Sequence, residues 1–588
     1  MKSDFLQNNF TNGEVSPNCL GRFDLAKYLN SAKVVENFMI KQLGGVSYRP
    51  GTRFVYETKH SAVRSRLLKF QYSTTQSYII EAGNLFFRFY TDGGILLDPI
   101  DPVEVTTVYP TSKLNQIKYA QNADTMYIAT GDYPVYKLQR TSATTFTMTA
   151  VDFVRGPFLD TNITSTTITP SSATGSTTLT ASTSIFQSNH VGSLWRVKDA
   201  VVKITGYTNG TQVSGTVQAE PDGTAGNIGA TTAQTDWAEG AWSEVRGYPK
   251  CVTFHEGRLW FANTDYEVDG LWGSVSFEYE NFDEGPDDDN AININLNADT
   301  VVATRWLSSS AKGLQAGTTG GVFNISGGSG NQPITPSNVS APRQNIYGSA
   351  DIQAKRMFNY AYYVQNDKRR FLESGYFFDI DQTDAVDTTM LADHILTVLP
   401  VEDNRFLKGS NQLGGAYDFD AQQSPNNRIW IVRDDGQIAV LTRNVRQEVN
   451  GWFRVIAGRT ESCDGVSGIG QFESISILSR EGYPDQVWVI CNRSILGETK
   501  RFVEYFTEED FKYEWDPVLL DCSLTYDNPI PIVGVNVYSD PMVVTAINHG
   551  LQNGDQIQID NIVGATHLNG NQYIVGDVTT NTFSITEA

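Results

Sequence analysis

The stretch Arg428-Ile-Trp-Ile-Val-Arg-Asp-Asp-Gly-Gln-Ile-Ala-Val-Leu-Thr442 constrains the fold more than any other part of the chain. An apolar run rich in β-branched and aromatic residues, Ile429 to Val432, meets Asp435-Gly436, and a second apolar run, Ile438 to Leu441, returns. Asp-Gly tolerates positive φ and closes a tight turn, so these fifteen residues spell a β-hairpin with its turn included. A chain that repeats such a unit must also hide the strand edges it creates.

Weaker copies recur along the sequence. Leu67 to Tyr72 and Ser77 to Ile80 precede Leu85 to Tyr90, and Ile117 to Ala129 is followed by Val135 to Leu138. Further units are Val252 to Ala262, Gly313 to Ile325, Tyr360 to Val364 with Arg370 to Glu373, and Gln486 to Cys491 with Arg501 to Tyr505. Apart from one wide gap, the hairpins recur every 50 to 65 residues or so, near the roughly 40–50-residue period of propeller blades. The reading is therefore a mainly β protein whose body is a β-propeller of about seven degenerate blades, an arrangement that leaves few open edges.

The segments follow from composition. Residues 1–64 are dense in turn formers and form an N-terminal docking arm; within it, Leu25 to Phe38 has helical spacing and predicts a short amphipathic helix. Residues 65–159 begin the propeller and 246–528 complete it. Between them, 160–245 is Ser/Thr-rich but alternates as Thr-Leu-Thr and Val-Lys-Ile, which predicts an inserted β domain. Residues 529–588 read as a small C-terminal β module of short strands between Gly turns.

Charge narrows the function. The net charge is −22, which argues against a clamp that neutralises phosphates with Lys and Arg. Residues 1–70 hold eleven Lys and Arg against five acids, a balance of +6, so the remaining 518 residues carry −28. That asymmetry suggests a basic end docking on something acidic. Lys41, Arg49, Arg53, Arg64, Arg66 and Lys69, with Tyr48, Phe54, Tyr56, Phe70 and Tyr72 among them, are the candidate partner interface.

Enzymatic signatures are missing from the sequence. The six His have no metal-ligand spacing, and neither a phosphate-binding Gly-x-x-x-x-Gly-Lys-Ser/Thr loop nor a Gly-x-Ser-x-Gly elbow occurs. The acidic run Asp283 to Asp289 offers oxygens for Ca²⁺ but lacks the alternation of an EF-hand loop, so it reads as a solvated loop. No catalytic, cofactor or metal residues are assigned, and the expectation is a non-enzyme without cofactor. Five scattered cysteines and a polar N-terminus suggest synthesis in a reducing cytosol. No apolar run approaches the ~20 residues of a membrane span.

The arm carries a family resemblance. Asn9-Phe-Thr-Asn-Gly-Glu-Val-Ser-Pro17, Gly21-Arg-Phe-Asp-Leu25, Tyr28, Asn37-Phe38 and Gly44-Gly-Val-Ser-Tyr-Arg-Pro-Gly-Thr-Arg-Phe-Val55 resemble the opening of tail proteins of tailed bacteriophages. The family is that of the nozzle, or tail tubular protein B, of short-tailed phages. Gly247 to Phe261, Ile429 to Thr442, Gly451-Trp452 and Asp485 to Trp488 extend the likeness over about residues 9–526. The resemblance implies a structural protein of the virion tail, assembled in the bacterial host cytoplasm as a homohexamer. It would dock below the adaptor (gatekeeper) ring, support fibres or tailspikes, and gate DNA ejection, holding back and then passing double-stranded DNA through its axis without specific binding. From about residue 531 the chain resembles a small β insertion of phage structural proteins, after which similar proteins continue, whereas this sequence stops at Ala588. The alternative is a phage tail propeller that binds or depolymerises host surface glycans. Sialidase-like propellers carry Ser-x-Asp-x-Gly-x-x-Trp boxes, whereas Asp434-Asp435-Gly436 is not followed by that Trp.

Overall fold

A computed structural model describes residues 7–98, 100–299, 302–328, 332–377, 382–397, 415–460, 468–495, 497–509, 518–523 and 530–587. Nine sheets of at least four strands lie among them, and seven of these are four-stranded or larger blades built from antiparallel hairpins. Blade 1 comprises Arg66–Gln71, Ser77–Gly83, Phe86–Thr91 and Glu104–Thr106, and blade 2 comprises Lys118–Asn122, Thr125–Ala129, Tyr136–Arg140 and Phe146–Ala150. Blade 3 comprises Cys251–His255, Arg258–Ala262, Gly270–Gly273 and Ile292–Asn295. Blade 4 starts with Thr304–Ser310, Gly313–Thr318 and Gly321–Gly327, and both Val339–Ser340 and Arg343–Asn345 lie against its third strand. Blade 5 comprises Lys355–Met357, Tyr360–Val364, Phe371–Phe377 and Gln382–Asp387, and blade 6 comprises Ala416–Gln422, Arg428–Arg433, Ile438–Asn444 and Val449–Val455.

Blade 7 is built from both ends of the propeller sequence. Gln471–Arg480, Tyr483–Ile495 and Glu498–Phe506 supply three strands, and Thr52–Glu57 pairs antiparallel with Glu498–Phe506 as the fourth. Joining the two chain regions in one sheet closes the ring. The first strands of most neighbouring blades pack on each other around the axis, and each gap between blades has its own apolar core. The one between blades 7 and 1, for example, unites Leu67, Ile79 and Tyr90 with Leu478, Trp488, Ile490 and Val503. The body is a closed seven-bladed β-propeller.

This sandwiching explains the sequence pattern. A central strand has a blade on each face, so Ser77–Gly83 and Arg428–Arg433 are buried at every position and read as continuous apolar runs rather than alternating ones. Large indoles fill the gaps opposite glycines: Trp306 pairs with Gly317, where a Cβ would lie 1.9 Å from the ring. The defining hairpin differs from expectation in one detail. Gly436 has φ +83 while Asp435 does not adopt positive φ, and the Gly436 amide donates to the Arg433 carbonyl at 3.0 Å. The turn is thus a three-residue loop ending on a left-handed glycine rather than a two-residue Asp-Gly turn. Asp435 instead accepts from the Arg433 guanidinium at 2.7 Å and from the Gln437 amide at 3.2 Å.

Between blades 2 and 3, six strands from Ile168–Pro170 to Trp237–Glu239 form a separate sheet around Leu179, Trp195, Val202 and Val213. Its two ends meet at a neck, where Leu159 donates its amide to the Glu239 carbonyl at 2.8 Å. A five-stranded sheet from Gly534–Asn536 to Thr582–Glu587 has its own core of Val544, Tyr573, Val575 and Phe583.

The helix expected over Leu25 to Phe38 does not form. Ala26–Asn30 is a single 3-10 turn, and Ser31–Ala32 is already strand. The exposed edge of Val449–Val455 wins: Arg454 donates its amide to the Val35 carbonyl at 2.9 Å and accepts from the Asn37 amide at 2.8 Å. Tertiary hydrogen bonds here override a marginal local helical period.

Candidate assembly interface

The arm wraps the outer edges of blades 6 and 7, and its motif residues are those that make the wrapping possible. Gly13–Glu14 pairs parallel with Trp452 of blade 6. Gly13 has φ +64, and a Cβ there would lie 2.3 Å from the Trp452 backbone, so only glycine fits. Glu14 is buried and gathers the Val35 amide at 2.9 Å, His394 Nε2 at 2.8 Å and Arg454 Nε at 3.2 Å. Burial works against its charge, but the His394 and Arg454 contacts and the Val35 amide outweigh it and hold the carboxyl below its ordinary range. Ser16 caps the next turn through the Asn18 amide, with Pro17 at its first position.

The second half of the motif works the same way. Phe38–Ile40 and Val46–Tyr48 form a short hairpin, and the Ile40 carbonyl accepts from both Thr442 Oγ1 at 2.9 Å and Arg428 Nη2 at 3.2 Å. The two ends of the defining hairpin therefore hold the arm. Arg49 is buried and forks onto Asp521 at 2.8 and 3.0 Å. A Cβ on Gly51 would lie 2.1 Å from the Leu520 carbonyl oxygen. Thr52 hydrogen-bonds Glu504, which Arg493 grips with two bonds of 2.9 Å.

The six candidate cations do not share one face. Lys41 lies in the arm hairpin turn, while Arg49 precedes the outermost strand of blade 7 and Arg53 lies within it. Arg64, Arg66 and Lys69 lie at the innermost strand of blade 1, the other end of the blade radius. Arg66 donates to the carbonyls of Leu114, Asn115 and Ile117, and it lies 3.7 Å from Asp418. Arg64 reaches Glu473 at 3.2 Å and stacks on Tyr417. Lys69 lies 3.9 Å from Asp420, and Lys355 lies 3.5 Å from the same carboxylate. Burial alone would depress the Lys355 ammonium, but Asp420, Tyr119 and Asp418 outweigh it and raise its pKa. Burial pushes Asp418 up, against Arg66 and Lys355, whereas those around Asp420, Lys355 and Lys69, hold it down despite burial. Together with Lys118–Asp351, these pairs tie the inner strands across the axis. Sequence proximity of the six cations hid this separation because only eight residues divide an outermost strand from an innermost one.

The outward side of the arm is apolar, a feature the charge-based reading missed. Leu20, Phe23, Leu29, Leu43, Val46 and Tyr48 are exposed, Phe23 at 71% and Leu43 at 89%. Leu519 and Leu520, which flank the Gly51 contact, are exposed beside it. Exposed apolar side chains concentrated in one segment mark an interaction surface. The acidic run is committed elsewhere: the buried Arg258 guanidinium donates to the backbone carbonyls of Asp288, Asp289 and Asn290. Among the described residues no group of three or more His, Cys, Asp or Glu is placed to hold a metal ion.

Fold and surface together define a seven-bladed β-propeller with an N-terminal clamp, an inserted β domain and a C-terminal β module. No protein-family model matches the chain, and no curated protein matches it by sequence. Solved structures similar to it include Kluyveromyces lactis Hsv2, at 10% identity over 66% of this chain and 97% of that one, with a TM-score of 0.27. The WD40 domain of Neurospora crassa Pan2 is 9% identical over 67% of this chain and 89% of that one, TM-score 0.25. U3-55K is 8% identical over 67% and 98%, TM-score 0.29.

Proposed function

We propose that this protein is a structural component of a bacteriophage tail, the nozzle at the distal end of the DNA channel. In this reading copies assemble as a homohexamer, dock on the adaptor ring, and support fibres or tailspikes. The observation that carries it is the arm: its motif residues are spent on clamping blades 6 and 7, which leaves Phe23, Leu43 and Tyr48 presented outward on a rigid scaffold. The −28 body suits a channel that DNA must traverse without sticking. The DNA path would lie between copies, because ion pairs such as Lys118–Asp351, from blade 2 to the lead-in to blade 5, cross the propeller axis itself. Electron microscopy of the purified full chain tests this. Six-fold rings around a channel wide enough for duplex DNA are expected, and a monodisperse monomer at high concentration overturns it.

A further inference from the structure

We propose that the far end of the C-terminal module docks on the N-terminal arm of a second copy of this chain, giving a head-to-tail contact. It rests on the homo-oligomeric reading proposed for the chain and names the two surfaces that meet.

The module is chemically one-sided. Residues 529–588 contain five acids, Asp540, Asp555, Asp560, Asp577 and Glu587, and neither Lys nor Arg. Its sheet runs in the order Gly534–Asn536, Met542–Thr545, Thr582–Glu587, Asn571–Gly576 and Gln556–Ile559, with every neighbouring pair antiparallel. Met542 lies opposite Ile585, Glu587 opposite Tyr573, and Asn571 opposite Ile559. That register places the turn at 537–541, the loop at 560–570 and Glu587 together at one end of the sheet. The chain enters at the other end, where the Val533 amide donates to the Thr545 carbonyl at 2.8 Å.

Apolar exposure concentrates at the far end. Tyr538 and Val563, distant in sequence, are each 97% exposed there. Asp540, Asp560 and Glu587 are exposed around them. An apolar tip rimmed by carboxylates, with no cation of its own, complements a surface that is apolar and basic.

The arm is such a surface. Phe23, Leu29, Val34 and Leu43 are exposed on it. Lys27 and Lys33 lie exposed among them, and neither ammonium has an ion-pair partner among the described residues. They differ in this from Arg49, which is spent on Asp521, and from Arg22, which faces Asp24 at 2.6 Å. The module is rooted beside its own arm, where Ser523 donates its amide to the Thr52 carbonyl at 2.8 Å, whereas the tip lies at the opposite end of the sheet from the entering chain. A tip-to-tip contact between copies is opposed by like charge. Two unlike, complementary surfaces on one chain instead form a heterologous interface, which passes from copy to copy and makes a ring where the rotation closes.

Photocrosslinking on the full chain tests the contact, with Tyr538→p-benzoylphenylalanine in a mixture of isotopically light and heavy copies mapped by mass spectrometry. Crosslinks from position 538 into residues 20–48 that join light to heavy copies are expected. Their yield should fall about tenfold in Lys27→Glu with Lys33→Glu, and recover when Asp540→Lys and Glu587→Lys are added. Crosslinks confined to single copies, crosslinks outside the arm, or a yield that charge reversal leaves unchanged overturn the proposal. Six-fold rings that form without these crosslinks leave the nozzle reading standing, whereas a chain that stays monomeric overturns both.

Discussion

Glu14 shows how much a single side chain decides in this protein. Its carboxylate joins three separate pieces of chain, at Val35, His394 and Arg454. Glu14→Gln leaves the Arg454 charge without its buried partner, so the arm should lose roughly 2–3 kcal/mol of local stability. Hydrogen exchange of the Val35 and Arg454 amides would report it. Because the folded pKa lies below the ordinary 4.5, Glu14 stabilises the fold above that pH, and the contribution is lost as pH falls through the folded value. Glu267 behaves in the opposite sense. Burial, with Asp160 and Asp269 nearby, pushes its pKa up to about 7. The folded state therefore holds the proton more tightly, and stability is lost as pH rises from 4.5 through 7. Glu267→Gln should raise stability at pH 8 by about 1 kcal/mol, a value reduced for partial solvent exposure. The same variant should change little at pH 4, and thermal denaturation at the two pH values checks this.

At the scale of elements, the hairpins were legible because each is local: a turn and two apolar runs lie within about fifteen residues. The closing strand was not, since Thr52–Glu57 pairs with Glu498–Phe506, more than 440 residues away, and its sequence resembles any other short β run. This strand makes the arm integral to the ring. Deleting residues 1–57 should expose the edge of Glu498–Phe506 and the buried Arg493–Glu504 pair, giving aggregated protein on size exclusion rather than a smaller monomer. A monodisperse, folded truncation would show instead that the clamp is dispensable. The basic cluster illustrates the opposite failure. Arg53 and Arg66 are neighbours in sequence, yet one lies on a strand at the rim and the other on a strand at the axis.

On the scale of the whole molecule, the ring divides labour between its axis and its rim. Ion pairs from several blades meet around the axis, where partial burial strengthens them. The rim carries the arm and its apolar surface. If that surface is the contact between copies or with the adaptor ring, Phe23→Asp together with Leu43→Asp should abolish ring formation in electron microscopy. The far-ultraviolet circular dichroism should be unchanged, because both side chains are exposed and touch little of the fold. Rings that persist in the double variant would move the interface elsewhere on the propeller.

The sequence by itself determined the class of fold. Hairpin recurrence, β-branched composition and glycine turns are short-range properties, and their count near seven already matched the number of blades. It also marked the arm, whose Gly13, Glu14, Gly51 and Thr52 are letters with no local substitute. Only the tertiary structure decided what the arm does locally, which cations lie at the axis, and that the chain from Ser31 to Asn37 runs extended beside blade 6 instead of continuing a helix. The reason is physical: ring closure and edge pairing depend on partners hundreds of residues distant, whose hydrogen bonds and buried charges outweigh the weak local preferences that sequence periodicity records.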